Sequence, residues 1–380
     1  MVVDLRTRAV RALVGSIGRD HPGGWIDLTR ALRSPGSTLK PFIYAMAFEG
    51  GLAAPGSRIR DRSASYAGYR PRDFDRTFRG EVTVADALRD SLNAPAVNLL
   101  SEVGPSALEQ RLRASGVTFQ RPRAGLTGPS LALALGGEGV RLRDLAMLYA
   151  SLGDDGVAKP LAWTQGQAAA RVRQPGVRLL RAEAADRVLD ILRQGQPPDG
   201  RAAIQPLDVT DRIAFKTGTS YGFRDAVAAG VGSGYAVAVW TGRPDGGGRP
   251  GLTGREAALP MLFDVFDRLR SASGDRSADN PAIGAPPPGL MQIHDAQAEA
   301  PQVLFPSDGV ALHRDLGVKD SGFTLSGQGL DLRWYVAGAA LRADPITHQS
   351  VWRPGGPGFY RIEAVDADGR RAVARVRVVN

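Results

Sequence analysis

The residues best suited to chemistry lie in two short motifs that contain lysine. Only four of the 48 Lys and Arg residues are lysines, namely Lys40, Lys159, Lys216 and Lys319. Lys40 closes the motif Ser37-Thr-Leu-Lys40, and Lys216 opens the motif Lys216-Thr-Gly-Thr219. A buried lysine can lose its proton, whereas arginine stays charged. Lysine kept in a chain that otherwise uses arginine therefore indicates sites where a titratable amine is needed.

The spacing of Ser37 and Lys40 suits nucleophilic catalysis. The segment from Ser37 to Gly50 is apolar with helical spacing, so we expect Ser37 at or near the first turn of a buried helix. Residues three apart on a helix share a face, which brings the Lys40 amine within reach of the Ser37 hydroxyl. A neutral Lys40 could then take the Ser37 proton and activate the oxygen. Ser-x-x-Lys is a weak pattern when taken alone.

The second lysine motif has the features of an anion site at the end of a strand. Gly218 permits a close backbone approach, and Lys216 supplies positive charge. The hydroxyls of Thr217 and Thr219 can bind an anionic group. We expect the main-chain N–H groups of Thr219 and Ser37 to form an oxyanion hole.

A third motif, Ser91-Leu92-Asn93, lies between the other two. Ser91 can relay a proton, and Asn93 can hold an amide or orient Lys40. The leading residues of the three motifs are separated by 54 and 125 positions. The specificity comes from the conjunction of the motifs in this order, because each of them is common by itself.

Composition restricts the function classes. The 380 residues allow two or three domains, and 43% hydrophobic with 23% charged residues indicates a soluble globular protein. The net charge of +9 is spread among interleaved acids, as in the segment 70–76, so we expect no nucleic-acid binding. The sequence contains no stretch of 18 apolar residues, so we predict no membrane span.

Cysteine and histidine usage restricts the chemistry further. The chain has no cysteine, which excludes disulfides, thiolate catalysis and Cys-ligated metals. None of the four histidines has metal-ligand spacing, so we predict no metal and no cofactor. Scarce histidine also directs any serine chemistry toward a different base.

The pattern along the chain predicts a mixed α/β domain followed by an all-β domain. Residues 1–33 predict two short strands and a loop, and the start directly in a strand led us to expect an N-terminally clipped domain. Residues 80–200 are mostly helical in pattern. Three strands follow from Ile213, Ala226 and Tyr235, with a terminal helix at 257–269.

The last third reads as a linker and a small β-sandwich. Residues 273–299 are rich in Pro, Gly, Ser and Asp, so we predict domains at 1–272 and 300–380 joined by this linker. The second domain has short, regularly spaced strands, with a hairpin turn at 366–369. Trp334, Trp352 and Tyr360 could form a binding face, although strand aromatics more often lie in a core.

The motifs and their surroundings resemble the penicillin-binding protein and serine β-lactamase superfamily, and within it the class A penicillin-binding proteins of the 1C type. The resemblance rests on Arg33-Ser-Pro-Gly-Ser-Thr-Leu-Lys-Pro-Phe, Asp90-Ser-Leu-Asn-Ala-Pro-Ala-Val, Leu135-Gly-Gly-Glu-Gly-Val and Trp352-Arg-Pro-Gly-Gly-Pro-Gly-Phe-Tyr-Arg. It implies a transpeptidase domain with an antiparallel sheet and an all-helical region, followed by an Ig-like C-terminal sandwich. Relatives also carry a membrane anchor and a glycosyltransferase domain, so we do not assign lipid II polymerisation to this chain.

The resemblance also implies roles for individual residues. Ser37 would be the acylated nucleophile, Lys40 the base, and Ser91 and Asn93 the relay and orienting groups. The carboxylate of a D-Ala-D-Ala stem peptide or of a β-lactam would be bound by the third motif, which consists of Lys216, Thr217, Gly218 and Thr219. The implied setting is periplasmic peptidoglycan cross-linking, and residues 300–380 could bind an envelope protein partner.

Three alternatives remain open at this point. A β-lactamase would need a carboxylate to activate water, and the nearest match is Glu109 in Glu109-Gln-Arg-Leu-Arg113, which lacks the expected Asn. A D,D-carboxypeptidase would use the same site with water as acceptor. A scaffold protein with a vestigial pocket would bind partners without catalysis. Tyr221 and Arg224, after the third motif, would be either cleft-lining or ordinary loop residues.

Overall fold

The structure is a computed structural model, and it divides into two compact units. It describes residues 1–62, 78–121, 128–201, 208–209, 212–272, 301–313, 322–328, 332–342, 350–366 and 369–379. The larger unit is built from described residues up to 272, and the smaller one from described residues after 300. The predicted linker 273–299 lies outside the described residues, so the exact domain limits stay a prediction.

The larger unit contains eleven strands and eight α-helices among its described residues. The strands are β1 (Val2–Asp4), β2 (Val10–Ala12), β3 (Leu32–Arg33), β4 (Arg58–Asp61), β5 (Gly80–Thr83), β6 (Val140–Arg141), β7 (Val157–Ala158), β8 (Val177–Arg178), β9 (Ala214–Thr219), β10 (Asp225–Gly232) and β11 (Tyr235–Gly242). The helices are α1 (Lys40–Glu49), α2 (Val84–Arg89), α3 (Asn93–Val103), α4 (Pro105–Ala114), α5 (Leu142–Leu152), α6 (Gln165–Arg173), α7 (Ala182–Arg193) and α8 (Leu259–Ala272). Short 3-10 turns span Leu28–Arg30, Gly36–Leu39 and Leu131–Leu135, and a π-helical turn spans Gly254–Ala258.

A five-stranded antiparallel sheet in the order β2-β1-β11-β10-β9 forms the centre of this unit. The two N-terminal strands predicted from the sequence are present, and β1 pairs with β11 through Val3 opposite Ala236. The three later strands also match the prediction, with Lys216 of β9 opposite Ala229 of β10. Strand β9 therefore lies at one edge of the sheet and has a free side.

Helices cover both faces of the sheet. Helix α8 packs on one face, where Phe215 and Phe263 meet edge to face at 5.4 Å in a core shared with Val237 and Phe266. Helix α5, which has the predicted bounds, packs against β10 and β11. The predicted α/β architecture with a helical region is confirmed.

Ser37 was expected at or near the first turn of a buried helix, and it lies in the turn directly before that helix. Ser37 lies in the 3-10 turn Gly36–Leu39, and α1 begins only at Lys40. The cause is Pro41, which has no N–H and cannot donate the α-helical bond to the Ser37 carbonyl. That carbonyl instead accepts from the Lys40 N–H three residues on, which is the 3-10 pattern.

The smaller unit is a β-sandwich of two sheets. Its strands are β12 (Gln302–Phe305), β13 (Ala311–His313), β14 (Phe323–Gln328), β15 (Arg333–Val336), β16 (Ala339–Ala340), β17 (Ser350–Trp352), β18 (Gly358–Val365) and β19 (Arg371–Val379). They form the sheets β12-β14-β17 and β13-β19-β18-β15-β16. Leu325 and Trp352 from the first sheet share one core with Trp334, Ile362 and Val376 from the second.

The aromatic residues of the sandwich serve this core. Trp334 and Trp352 are buried, and the Tyr360 ring lies 4.9 Å from the Trp352 ring, so these three do not form an exposed face. The all-β character of the domain is confirmed, while its Ig-like topology stays a prediction.

Candidate active site

The turn that carries Ser37 is held rigidly by its neighbours. The Thr38 hydroxyl donates to the Pro35 carbonyl at 2.8 Å, and the buried Tyr149 hydroxyl donates to the Thr38 carbonyl at 2.9 Å. Lys40 is buried, whereas Ser37 itself is half-buried. The turn therefore leaves Ser37 partly accessible while Lys40, three residues on, is buried.

The Lys40 amine joins the first motif to the second. Its Nζ donates to the Ser91 carbonyl at 2.6 Å, the Leu92 carbonyl at 3.0 Å and Asn93 Oδ1 at 2.7 Å, and Ser91 Oγ lies 3.5 Å away. Three close acceptors match the three N–H donors of an ammonium group. The main-chain carbonyls, which the sequence did not single out, are thus the principal partners beside Asn93.

Ser91 adopts an uncommon backbone conformation that makes these contacts possible. Its φ is +64°, in the left-handed region that non-glycine residues seldom occupy. The residue ends the turn after α2, where its N–H donates to the Leu88 carbonyl at 3.2 Å, and α3 starts two residues later at Asn93. Strain of this kind concentrates at functional sites, and here it accompanies a carbonyl held against Lys40.

Glycines allow the third motif to approach the nucleophile turn. A Cβ on Gly218 would overlap the Pro35 carbonyl oxygen and lie 3.0 Å from the Ser37 nitrogen. A Cβ on Gly36, whose φ is +53°, would lie 2.6 Å from the Thr219 nitrogen. Backbone therefore packs directly on backbone where the sequence predicted an oxyanion hole.

The direction of the Thr219 N–H follows from strand pairing. The neighbouring Ser220 N–H donates to the Asp225 carbonyl at 2.9 Å, so it points toward β10. Successive residues of an antiparallel strand point their N–H groups to opposite sides. The Thr219 N–H therefore points to the free side of β9, which is the side occupied by Ser37.

Lys216 is a buried cation with few partners. Its side chain is 3% exposed, and its Nζ donates to the Thr217 carbonyl at 3.1 Å. Burial lowers the pKa of the Lys216 amine to about 7, and the negative charge of Asp90 opposes that shift. Among the described residues no carboxylate lies within ion-pair distance of Lys216, so no described acid neutralises its charge directly.

Asp90 links the second motif to Lys216 and was not predicted as a site residue. It directly precedes Ser91 and forms ion pairs with Arg79 and, at 3.2 Å, with Arg89. Its position next to the Ser-x-Asn motif was visible in the sequence, but its proximity to Lys216 was not.

The remaining predicted residues have clear positions. Thr217 and Thr219 are half-buried on β9, and Thr219 Oγ1 accepts from the Gly254 N–H at 3.0 Å. Tyr221 is fully exposed in the β9–β10 turn, and Arg224 is exposed there too. The structure therefore brings all three motifs together around Ser37.

Glu109, considered as a water-activating base, is committed to other partners. It is 5% exposed, and its Oε1 accepts from Arg113 at 2.6 Å and from Arg121 at 2.9 Å. Burial and the Glu109 charge raise the pKa of nearby Glu138. Glu109 and Arg113 of α4 thus form a charge cluster with Arg121 and Glu138, and this explains Glu109 as a structural residue.

Two features are absent from the described residues. No group of three or more His, Asp or Glu side chains is placed to hold a metal ion in the described part of the chain. None of the helices in the described ranges is long and apolar enough to cross a bilayer.

This fold, with a Ser-Lys turn beneath an edge strand that carries Lys-Thr-Gly-Thr, defines the transpeptidase class of penicillin-binding proteins. The family described as "Penicillin binding protein transpeptidase domain" matches residues 1–241, and the "Penicillin-Binding Protein C-terminus Family" matches residues 290–378. The chain belongs to the penicillin-binding protein transpeptidase family.

Individual relatives agree with this assignment. Penicillin-binding protein 1C of Escherichia coli is 36% identical over 281 residues, which cover 73% of this chain and 35% of the relative. Penicillin-binding protein 1F of Bacillus subtilis is 30% identical over 253 residues, which cover 63% of this chain and 34% of the relative. The chain thus spans about a third of the length of these relatives, and the predicted resemblance to the 1C type is confirmed.

Solved structures share the fold at lower identity. PonA1 of Mycobacterium tuberculosis, solved in complex with penicillin V, has a TM-score of 0.61 at 21% identity and covers 76% of this chain and 82% of its own. Penicillin-binding protein 1A of Haemophilus influenzae has a TM-score of 0.59 at 20% identity, with 74% and 48% covered. These two structures support the fold only.

Proposed function

We propose that this chain is a serine D,D-transpeptidase that cross-links peptidoglycan through an acyl-enzyme on Ser37, and that it binds penicillin covalently at the same residue. The observation that carries the proposal is the Lys40 amine, which contacts the Ser91-Leu92-Asn93 motif at 2.6–3.0 Å beside the Ser37 turn. Chance matches to short motifs would not bring the second motif onto the Lys40 amine and the third motif onto the Ser37 turn.

The first chemical step follows from these positions. Ser37 Oγ attacks the carbonyl carbon of the penultimate D-Ala, and its proton passes to Lys40 once that amine has lost one of its own. The developing oxyanion is stabilised by the N–H groups of Ser37 and Thr219. The C–N bond to the terminal D-Ala then breaks, and the leaving nitrogen takes a proton relayed by Ser91. With a β-lactam, the broken amide bond belongs to the ring and the fragment stays attached.

Substrate binding in this proposal uses the free side of β9. Edge strands accept extended peptides as an additional strand, with main-chain hydrogen bonds supplying affinity. The Lys216 ammonium and the hydroxyls of Thr217 and Thr219 would bind the terminal carboxylate. Deacylation transfers the acyl group from Ser37 to the amine of a second stem peptide, and the reaction would take place in the periplasm.

The test is covalent labelling with a fluorescent penicillin, followed by intact mass measurement. We expect one adduct on the parent protein, none on Ser37→Ala and a normal adduct on Ser106→Ala, which removes an exposed serine of α4. Labelling of Ser37→Ala at the parental rate would refute the nucleophile assignment. Loss of the adduct within seconds would favour a β-lactamase.

A second measurement separates the acyl acceptors. With a D-Ala-D-Ala peptide, a transpeptidase should release D-Ala and form a cross-linked product only when an acceptor amine is added. Release of D-Ala without cross-linked product would favour a D,D-carboxypeptidase. No release and no labelling would favour the non-catalytic scaffold.

A further inference from the structure

The outer face of the β13-β19-β18-β15-β16 sheet of the sandwich carries a concentration of arginine. On β19 the side chains of Ala374, Val376 and Val378 are buried, so the alternate residues point outward. The same alternation holds on β18, where Ile362 and Ala364 are buried. The outward arginines of this face are Arg333, Arg361, Arg371, Arg375 and Arg377.

Strand register gathers these arginines into one continuous surface, here called the arginine face. Arg361 lies directly opposite Arg375, and Phe359 lies opposite Arg377. At the far end Val365 is flanked by Arg371 on one side and Arg333 on the other. Among the described outward residues of the strands, the one acid is Glu363, whose carboxylate is 3.2 Å from Arg361 and 3.9 Å from Arg371.

The concentration of like charges on the arginine face destabilises the sheet, and solubility alone does not explain it. Solvated sheet faces ordinarily mix charges of both signs, and like charges placed directly opposite each other destabilise a strand pair. Arg361 opposite Arg375 is such a pair, and a single glutamate cannot neutralise five guanidinium groups. An external anionic partner would supply the missing negative charge.

The shape and apolar content of the face favour a bilayer over a single chain. The arginines and Phe359 lie on three neighbouring strands, β15, β18 and β19, and Phe359 is 83% exposed while its ring lies 5.7 Å from the Arg377 guanidinium. Val373 is exposed on the same face. One guanidinium group can bind two phosphate oxygens at once. An exposed aromatic ring among the arginines can enter the headgroup region of a bilayer.

We propose that the arginine face docks the C-terminal domain on an anionic phospholipid surface. The charge complementarity comes from the five arginines, and Phe359 adds apolar contact. Because the five charged side chains are spread over three adjacent strands, roughly 10 Å across the strands and 20 Å along β19, they suit an array of lipid headgroups. The proposal concerns the smaller unit alone and does not depend on the chemistry proposed for Ser37.

The test is sedimentation of the full chain with vesicles of phosphatidylcholine alone and of phosphatidylcholine with phosphatidylglycerol. We expect binding only to the anionic vesicles, and weaker binding at high salt because exposed charges are screened. The triple variant Arg361→Gln, Arg375→Gln, Arg377→Gln should bind about a hundredfold more weakly, since each arginine near an anionic surface strengthens binding by roughly fivefold. Phe359→Ser should weaken binding with no change in net charge.

A matched control separates the arginine face from net charge. Arg173→Gln, Arg187→Gln, Arg268→Gln removes the same charge from exposed positions of the larger unit and should bind like the parent. Equal losses in both triple variants, or parental binding by the face variant, would overturn the proposal. Binding to soluble polyglutamate but not to vesicles would also overturn it, in favour of an acidic protein partner. Thermal melting at or above the parental temperature shows that each variant is folded.

Discussion

Lys40 donates a 2.7 Å hydrogen bond to Asn93 Oδ1 across 53 positions of sequence, and it does so from a fully buried position. The carbonyls of Ser91 and Leu92 also accept from Nζ, at 2.6 Å and 3.0 Å. The same lysine must act as a base in the proposed reaction. The site thus holds its base in place through groups that would also stabilise it in the charged state.

The two motif lysines should differ in their tolerance of arginine. Lys40→Arg should lower the rate of acylation by a fluorescent penicillin about a thousandfold or more, because arginine cannot accept a proton and its larger group has no space among the acceptors. Lys216→Arg keeps the charge and should cost only about tenfold, as expected for one altered anion contact. Equal acylation rates in the two variants would contradict the assignment of Lys40 as the base and of Lys216 to the anion site.

Acylation should fall as the pH rises through about 7, the pKa to which burial lowers the Lys216 amine. The protonated amine attracts the ligand carboxylate, and the neutral amine does not. The variant Lys216→Arg should show no such decline, because arginine stays charged over this range. The measurement is the second-order acylation rate between pH 5.5 and 9. A decline that persists unchanged in Lys216→Arg would assign it to another group.

Substitutions of Asp90 and of Arg79 should shift, in opposite directions, the pH at which the acylation rate declines. Asp90 raises the pKa of Lys216, so Asp90→Asn should shift the decline to lower pH. Arg79 forms an ion pair with Asp90, so Arg79→Gln should release its negative charge and shift the decline to higher pH. A purely structural role would instead reduce the rate in both variants without moving the profile.

Replacing Lys216 with an apolar residue should stabilise the fold while impairing the site. The folded-state pKa lies below the ordinary value of 10.5, so the unfolded chain holds the proton more tightly. The resulting destabilisation is full below pH 7 and fades as the pH rises toward 10.5. Lys216→Met should therefore raise the free energy of unfolding at pH 7 by on the order of 1–3 kcal/mol. Thermal melting should show this gain shrinking at pH 10, and an equal gain at both values would contradict it.

The close approach of the third motif should make Gly218 intolerant of any side chain. Gly218→Ala places a methyl group on the Pro35 carbonyl, and either this turn or β9 must shift. We expect acylation to fall at least a hundredfold, as misplacement of reacting groups by about 1 Å can cause. Gly166→Ala is the control, because its new methyl group meets nothing within 4 Å on α6. Parental acylation by Gly218→Ala would show that the contact is not needed.

The sequence predicted which residues form the site better than it predicted the backbone conformations that bring them together. Ser37, Lys40, Asn93 and Gly218 were each suggested by residue type and spacing, and the structure brings them together. The Ser91 backbone conformation could not be predicted, because serine itself favours other values of φ. The 3-10 turn was in principle visible, since Pro41 follows Lys40 directly.

Long-range relations account for the other omissions. The effect of Asp90 on Lys216 depends on the meeting of a helix end with a strand 126 residues later, as 216 − 90 gives. The arginine face depends on register, because Arg361 and Arg375 become neighbours only when β18 pairs with β19. Alternation within β19 was readable from its sequence, but the identity of the opposite residue was not.

The backbone contact between Gly36 and Gly218 also determines when the site can exist during synthesis. The two residues are 182 positions apart, and β9 is held in place by β10 and β11, which come later still. A nascent chain that ends before residue 242 has the nucleophile but lacks part of the sheet that holds β9 beside it. Such distant pairings form late because the intervening loop must first be closed. Reactivity toward penicillin should therefore report completion of the whole sheet, and a ribosome-bound fragment should remain inert however well its first helices fold.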